Sequence, residues 1–377
     1  MIRAGGLPDK PPRFDPTDKT TAMFQQLTTI AQNTFTESIR QPIFVVLVLL
    51  GSLAMVINPQ LAAYTMEDDN KLLIDMGLST IFLVSLLLAA FTATCVFSNE
   101  IENKTVLTVV SKPVGRPLFV IGKYLGISAA IATAFFLLSI VLAMTIRHRV
   151  MSTASDHFDM PVILLGFGGA LLALIVATGA NYLYGKVFSS SFTVCLLVTQ
   201  TIAFALVLVI DKQWGLQSPM TEFVEHDGEL GQVMVGMGLV FQAVLVLTGV
   251  AVAASTRLGQ VMTLLICVGV FLLGLASNSL SQMVNMRLSI PAGTDYYQSL
   301  SVIMSADLVF YQKVVYGCAK LIYMLVPNLQ FFWPADAITQ GTPITAGLFG
   351  LVSGYAALQI VAVIAIAIAL FQNREVG

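Results

Sequence analysis

Glu100-Ile-Glu102-Asn-Lys104-Thr105-Val-Leu-Thr-Val-Val-Ser111-Lys112-Pro113-Val-Gly-Arg116-Pro117 is a polar stretch set between two long apolar runs. Two carboxylates, a short apolar turn, then a Lys-Pro and an Arg-Pro step cannot remain in hydrocarbon and must stand at an aqueous face. The residues that follow, Leu-Phe-Val-Ile-Gly122-Lys123-Tyr-Leu-Gly126, lead directly into the next apolar run. This elbow therefore joins two membrane helices, and anything that pushes on it moves both. Such an arrangement suits the transmission of force better than bond chemistry.

Working outward, 56% of the residues are hydrophobic and only 11% charged, against about 25% charged in soluble domains. Mean hydropathy is +0.84. Apolar runs of about 20 residues, the length that crosses a bilayer, fall at residues 42–63, 73–97, 118–145, 161–183, 190–210, 231–253, 258–278 and 346–371. The expected fold is an all-α integral membrane protein with about eight transmembrane helices, both termini cytoplasmic. Ahead of the first span, residues 21–40 put Phe24, Leu27, Ala31, Phe35 and Ile39 on one helical face, which predicts an interfacial amphipathic helix. Residues 1–20 are expected as a disordered cytoplasmic tail.

The remaining segments follow from these spans. Residues 42–97 carry spans one and two, 98–117 the coupling elbow and 118–278 spans three to seven. Residues 279–345 form an external segment, 346–371 the eighth span and 372–377 a cytoplasmic tail. Within the external segment, Lys313, Tyr316, Lys320 and Tyr323 form one stripe over 308–326, the pattern of a lipid-interface helix with snorkelling lysines. Trp333 is expected near the outer interface.

Charge sets the orientation. The side bearing the termini and the elbow holds 12 basic and 7 acidic residues, a net of +5, and the other side 7 basic and 14 acidic, a net of −7. Lys and Arg are enriched in cytoplasmic loops, which puts the elbow inside.

Catalytic machinery is not legible. His148, His157 and His226 fall outside the apolar runs without a helix-spaced partner. Cys95, Cys195, Cys267 and Cys318 have no metal or disulfide spacing and are expected to pack as small apolar residues. Residues 115–123 lack the spacing of a phosphate-binding loop, so no nucleotide, metal or other cofactor is expected, and no nucleic-acid partner. Near the middle of the spans the polar residues are neutral, such as Gln200, Gln242, Thr94 and Thr133. That disfavours an ion-coupled carrier, which places charge there.

The elbow resembles the signature of ABC type 2 permeases, the membrane subunits of bacterial ATP-binding-cassette exporters. Their pattern runs E-x-E-x-G-T-L, S-x-P-V-x-R, G-K-x-L-G. Here it reads Glu100-x-Glu102-x-Lys104-Thr105-Val106, Ser111-Lys112-Pro113-Val114-x-Arg116 and Gly122-Lys123-x-Leu125-Gly126. Glu37-Ser-Ile-Arg40 ahead of the first span, and Pro327-Asn328-Leu329 with Asp336-Ala337 ahead of the last, extend the likeness. Lys104 stands where the family has Gly. Eight spans exceed the family's usual six, and residues 160–210 read as an inserted hairpin. The resemblance implies a non-catalytic permease, a homodimer or heterodimer of such subunits in contact with membrane lipids, driven by a separate cytoplasmic ABC ATPase. By the same resemblance Glu100, Glu102, Lys104, Thr105, Ser111, Lys112, Pro113 and Arg116 would engage that ATPase, while Gly122 and Gly126 would provide close packing. The competing reading is a membrane scaffold or assembly factor whose 279–345 segment recruits an extracytoplasmic partner.

Overall fold

The computed structural model describes residues 16–63, 69–102, 115–151, 158–224, 229–291, 294–340 and 342–372. These form helices α1 (Pro16–Arg40), α2 (Pro42–Ala62), α3 (Asp69–Glu102), α4 (Arg116–His148), α5 (Met160–Tyr184) and α6 (Phe188–Val209). They continue as α7 (Glu229–Ser255), α8 (Gln260–Arg287), α9 (Tyr296–Ser305), α10 (Phe310–Leu325) and α11 (Ala346–Gln372). Short turns at Thr221–Val224, Leu329–Phe332 and Ala335–Thr339 link them. Nine segments among the described residues are long and apolar enough to cross a bilayer. The architecture is that of an α-helical, multi-pass membrane protein.

Local chemistry sets the helix limits. Proline stands in the first turn of α2, α4 and α5, where its missing N–H costs nothing. Asp159 caps α5 by accepting from the Val162 amide. Gly185 ends that helix in the left-handed region, with its amide on the carbonyls of Ala180 and Asn181.

Three helices make the centre. Across their apolar stretches 72% of α3, 67% of α4 and 61% of α7 is buried, against 17% of α11 and 22% of both α5 and α8. Phe135 meets Phe241 at 5.0 Å to join α4 to α7, and Phe82 meets Phe271 at 4.8 Å to join α3 to α8. By contrast α5 and α6 pack chiefly on each other and rest against the side of the bundle. They occupy the part of the sequence read as an insertion.

At the end away from the elbow that hairpin is tied down by charge. Arg147, in the last turn of α4, lies 3.3 Å from the carboxylate of Asp159, with both side chains 2% or less exposed. Its guanidinium also donates to the carbonyl of Ile210, just past α6. Three helix ends converge on one buried cation, although the sequence reading treats Arg147 as an ordinary loop charge.

Three expectations for residues 279–345 need correction. α8 continues to Arg287, past the 278 limit of the apolar run, because its polar residues have partners there. Asn278 donates to Gln330, and Ser281 and Asn285 accept from Lys320 at 3.0 and 2.7 Å. Lys320 is thus 4% exposed instead of snorkelling. α10 has 16 residues, about 24 Å at 1.5 Å per residue, and reaches a length that crosses a bilayer core of about 30 Å only together with the turn through Phe332. Its tip reaches the middle of α8, where a Cβ on Gly274 would stand 2.7 Å from the Pro327 carbonyl. From there the chain turns back to α11. Trp333 packs edge-on against Phe82 at 6.0 Å, halfway along the apolar stretch of α3, and not at the end of the bundle.

Asp159→Ala should strand Arg147 without its carboxylate. Losing one partner of a buried pair costs about 3–5 kcal/mol. The expected result is a clear fall in the midpoint of thermal unfolding of the purified protein, whereas Asp211→Ala, an exposed turn residue nearby, leaves it unchanged.

Candidate functional site

The two helices that flank the elbow are held at its level by a cluster of aromatic rings and arginines. Phe119 in the first turn of α4 stacks on Phe371 in the last turn of α11 at 5.5 Å, and Phe97 of α3 stands edge-on to both at 6.5 Å. Arg116 donates to the Gln372 carbonyl at 2.7 Å, and Arg257, from the turn between α7 and α8, to the Leu370 carbonyl at 2.9 Å. The final carbonyls of a helix lack intrahelical donors, and the helix dipole makes that end negative. Two guanidinium groups answer both needs at the end of α11. Four pieces of chain distant in sequence meet here: the end of α3, the start of α4, the α7–α8 turn and the end of α11.

A fifth piece, α1, seats against α4. A Cβ on Gly126 would stand 2.5 Å from the Ala31 carbonyl and from Thr34, and one on Gly122 would stand 2.7 Å from Ile30. The backbones can approach this closely only because both residues are glycine. One turn around, Lys123 is 4% exposed, 3.9 Å from Glu37 and 5.6 Å from the centre of the Phe119 ring. The face of α1 turned to α4 includes Leu27, Ile30, Thr34 and Ser38, so it is rotated from the Phe24–Ile39 stripe expected from the sequence. Phe24 is 67% exposed. Thr34 and Ser38 are fully buried; Ser38 donates to the carbonyl of Thr34 along the helix, which removes the need of its hydroxyl for water.

Of the residues that the permease resemblance points to, Lys104, Thr105, Ser111, Lys112 and Pro113 lie outside the described residues, as do the side chains of Glu100 and Glu102. Arg116, Gly122 and Gly126 lie within them, and the structure brings all three to the same end of α4. Arg257, Phe97, Phe119 and Phe371 belong to this site but were not singled out in the sequence. An arginine in a turn reads as an ordinary inside charge, and phenylalanines in apolar runs read as core. Only the spatial meeting of the helix ends distinguishes them.

Chemically the arrangement can hold and move helices. Among the described residues no group of three or more His, Cys, Asp or Glu could hold a metal ion. Comparison with protein-family models and with curated proteins returns no match.

Replacing Gly126 with Val should push α1 off α4, since the Ala31 carbonyl beside it is backbone and cannot swing aside; overpacking of this kind costs about 1–3 kcal/mol. The measurement is proteolysis of α1 in the purified protein. Faster cleavage between residues 16 and 40 is expected for Gly126→Val, with the rest of the bundle remaining resistant.

Proposed function

We propose that this protein is the permease subunit of an ATP-binding-cassette exporter of the type 2 class, coupled through its elbow to a separate cytoplasmic ATPase. The observation that carries this reading is that α3 and α4, the helices joined by the elbow, are the two most deeply buried of the candidate spans. A push at the elbow is therefore delivered to the centre of the bundle, and the ring cluster and two arginines pass it on to α7, α8 and α11. The motif from Glu100 to Gly126 supplies the partner's identity by resemblance alone.

In this proposal the chain crosses a cytoplasmic (inner) membrane eight times. Support comes from the contacts of Arg116 and Arg257 with the last carbonyls of α11, which bring that helix end to the level of the elbow. An even number of crossings satisfies this, with α10 dipping in and returning on the same side. The bias of +5 against −7 then turns the elbow and both termini toward the cytoplasm. Two permease subunits form the path, and ATP-driven closure of the ATPases tilts α3 and α4 to switch access. The substrate is one that such a path exports.

Glu100→Arg and Glu102→Arg test the coupling. Each is expected to abolish co-purification of ATPase activity with the tagged permease while membrane insertion and detergent elution stay as in the unaltered protein. Retention of the ATPase and of export in both variants rejects the proposal.

A further inference from the structure

The bundle side opposite to the α11 surface carries a cleft of about 440 Å³ between α2, α4 and the α5–α6 hairpin. Its volume is that of an ordinary small-ligand site, but its chemistry is unusual. The polar groups within it are taken up inside the protein. Ser52 donates to the Val48 carbonyl and Thr145 to that of Val141, each along its own helix, and Gln200 of α6 donates across the hairpin to the Gly166 carbonyl of α5. The Gln60 side-chain amide lies 2.9 and 2.8 Å from the carbonyls of Val56 and Ile57. What remains is a wall of Leu, Val, Ile, Met and Phe side chains that offers a polar ligand nothing to bond.

One end of the cleft differs. His148, the last residue of α4, lines it, and its Nδ1 is buried without a hydrogen bond. Its ring lies against Phe158 at 6.1 Å, and Lys212, just past α6, is within electrostatic reach of it. Among the described acids nearby, Asp159 is held by Arg147, and Asp211 accepts from the Lys212 amide. This end coincides with the ends of α2, α4 and α6 and the start of α5, which is where a headgroup layer meets the bundle. Along the length of the cleft the lips are apolar and outward-facing: Leu53 is 56% exposed and Phe167 59%.

An apolar trough with a cationic end at headgroup level matches one ligand chemistry. We propose that the cleft holds one acyl chain of a membrane phospholipid, with its phosphate at the His148 end and paired with Lys212. A chain passing from bilayer to cleft stays in apolar surroundings, so the pairing of the phosphate and the fit of the trough supply the selectivity. The α5–α6 hairpin, peripheral to the rest of the bundle, then acts as the second wall of a lipid seat. This assignment does not depend on what binds the elbow.

The test uses the full-length protein in phosphatidylcholine nanodiscs doped with phosphatidylglycerol that carries a photoactivatable diazirine on its acyl chain. A diacylglycerol with the same chain and no phosphate serves as comparison. Phosphatidylglycerol is expected to label the 49–60 and 158–170 segments above the exposed α11 positions Leu358 and Val361, and the diacylglycerol to label both alike. Gly166→Phe should abolish the excess, because a Cβ there meets nothing nearer than the Met144 sulfur at 4.0 Å and a larger ring grows into the cleft without moving backbone. Lys212→Glu, an exposed change that leaves the cleft intact, should lower phosphatidylglycerol labelling about fivefold while diacylglycerol labelling holds. Uniform labelling of α11 and the cleft, or labelling indifferent to Gly166→Phe, would show only annular lipid and overturn the proposal. So would a cross-link between two protein copies through these segments.

Discussion

Hydrocarbon offers no hydrogen-bond partner, so every polar group that enters it must be satisfied from within the chain. That constraint accounts for the uniform secondary structure, and it reaches the side chains as well. Thr80, Thr94, Thr193 and Thr248 each donate to the carbonyl four residues back, at distances from 2.7 to 2.9 Å. A hydroxyl used in this way is nearly as apolar as a methyl to its surroundings. The polar groups that cannot close on their own helix are the ones that decide which helices meet.

Four such groups are basic. Arg147 gathers the ends of α4, α5 and α6; Lys320 holds α10 against α8; Arg116 and Arg257 gather the far end around α11. Each binds oxygens that a helix terminus or a short polar side chain would otherwise leave without a donor. The bundle is thus pinned at its two ends by charge and filled between them by apolar packing.

The glycines of α4 belong to the same division of labour. Gly122 and Gly126 let α1 lie backbone to backbone against the first turns of α4, so a displacement of α4 at the elbow is shared with α1 at once. The α5–α6 hairpin meets α1, α2 and α4 chiefly through α6.

Helix content and the apolar runs were legible in the sequence because hydropathy over about 20 residues is a local property, save that a ninth candidate span, Phe310–Phe332, reads there as part of an external segment. So were Gly122 and Gly126 as close-packing residues, though only through resemblance to a known motif. The rest depended on contacts between distant segments. The polar end of α8 reads as loop until Gln330 and Lys320 arrive to satisfy it, and Lys320 reads as snorkelling until Ser281 and Asn285 of α8 receive it. Trp333 reads as an interface anchor until the turn after α10 carries it down to Phe82. Composition determined that this chain enters a membrane and where it must leave; tertiary structure decided which charges are buried, because a charge is tolerated in a low-dielectric interior only where folding has already placed its partner.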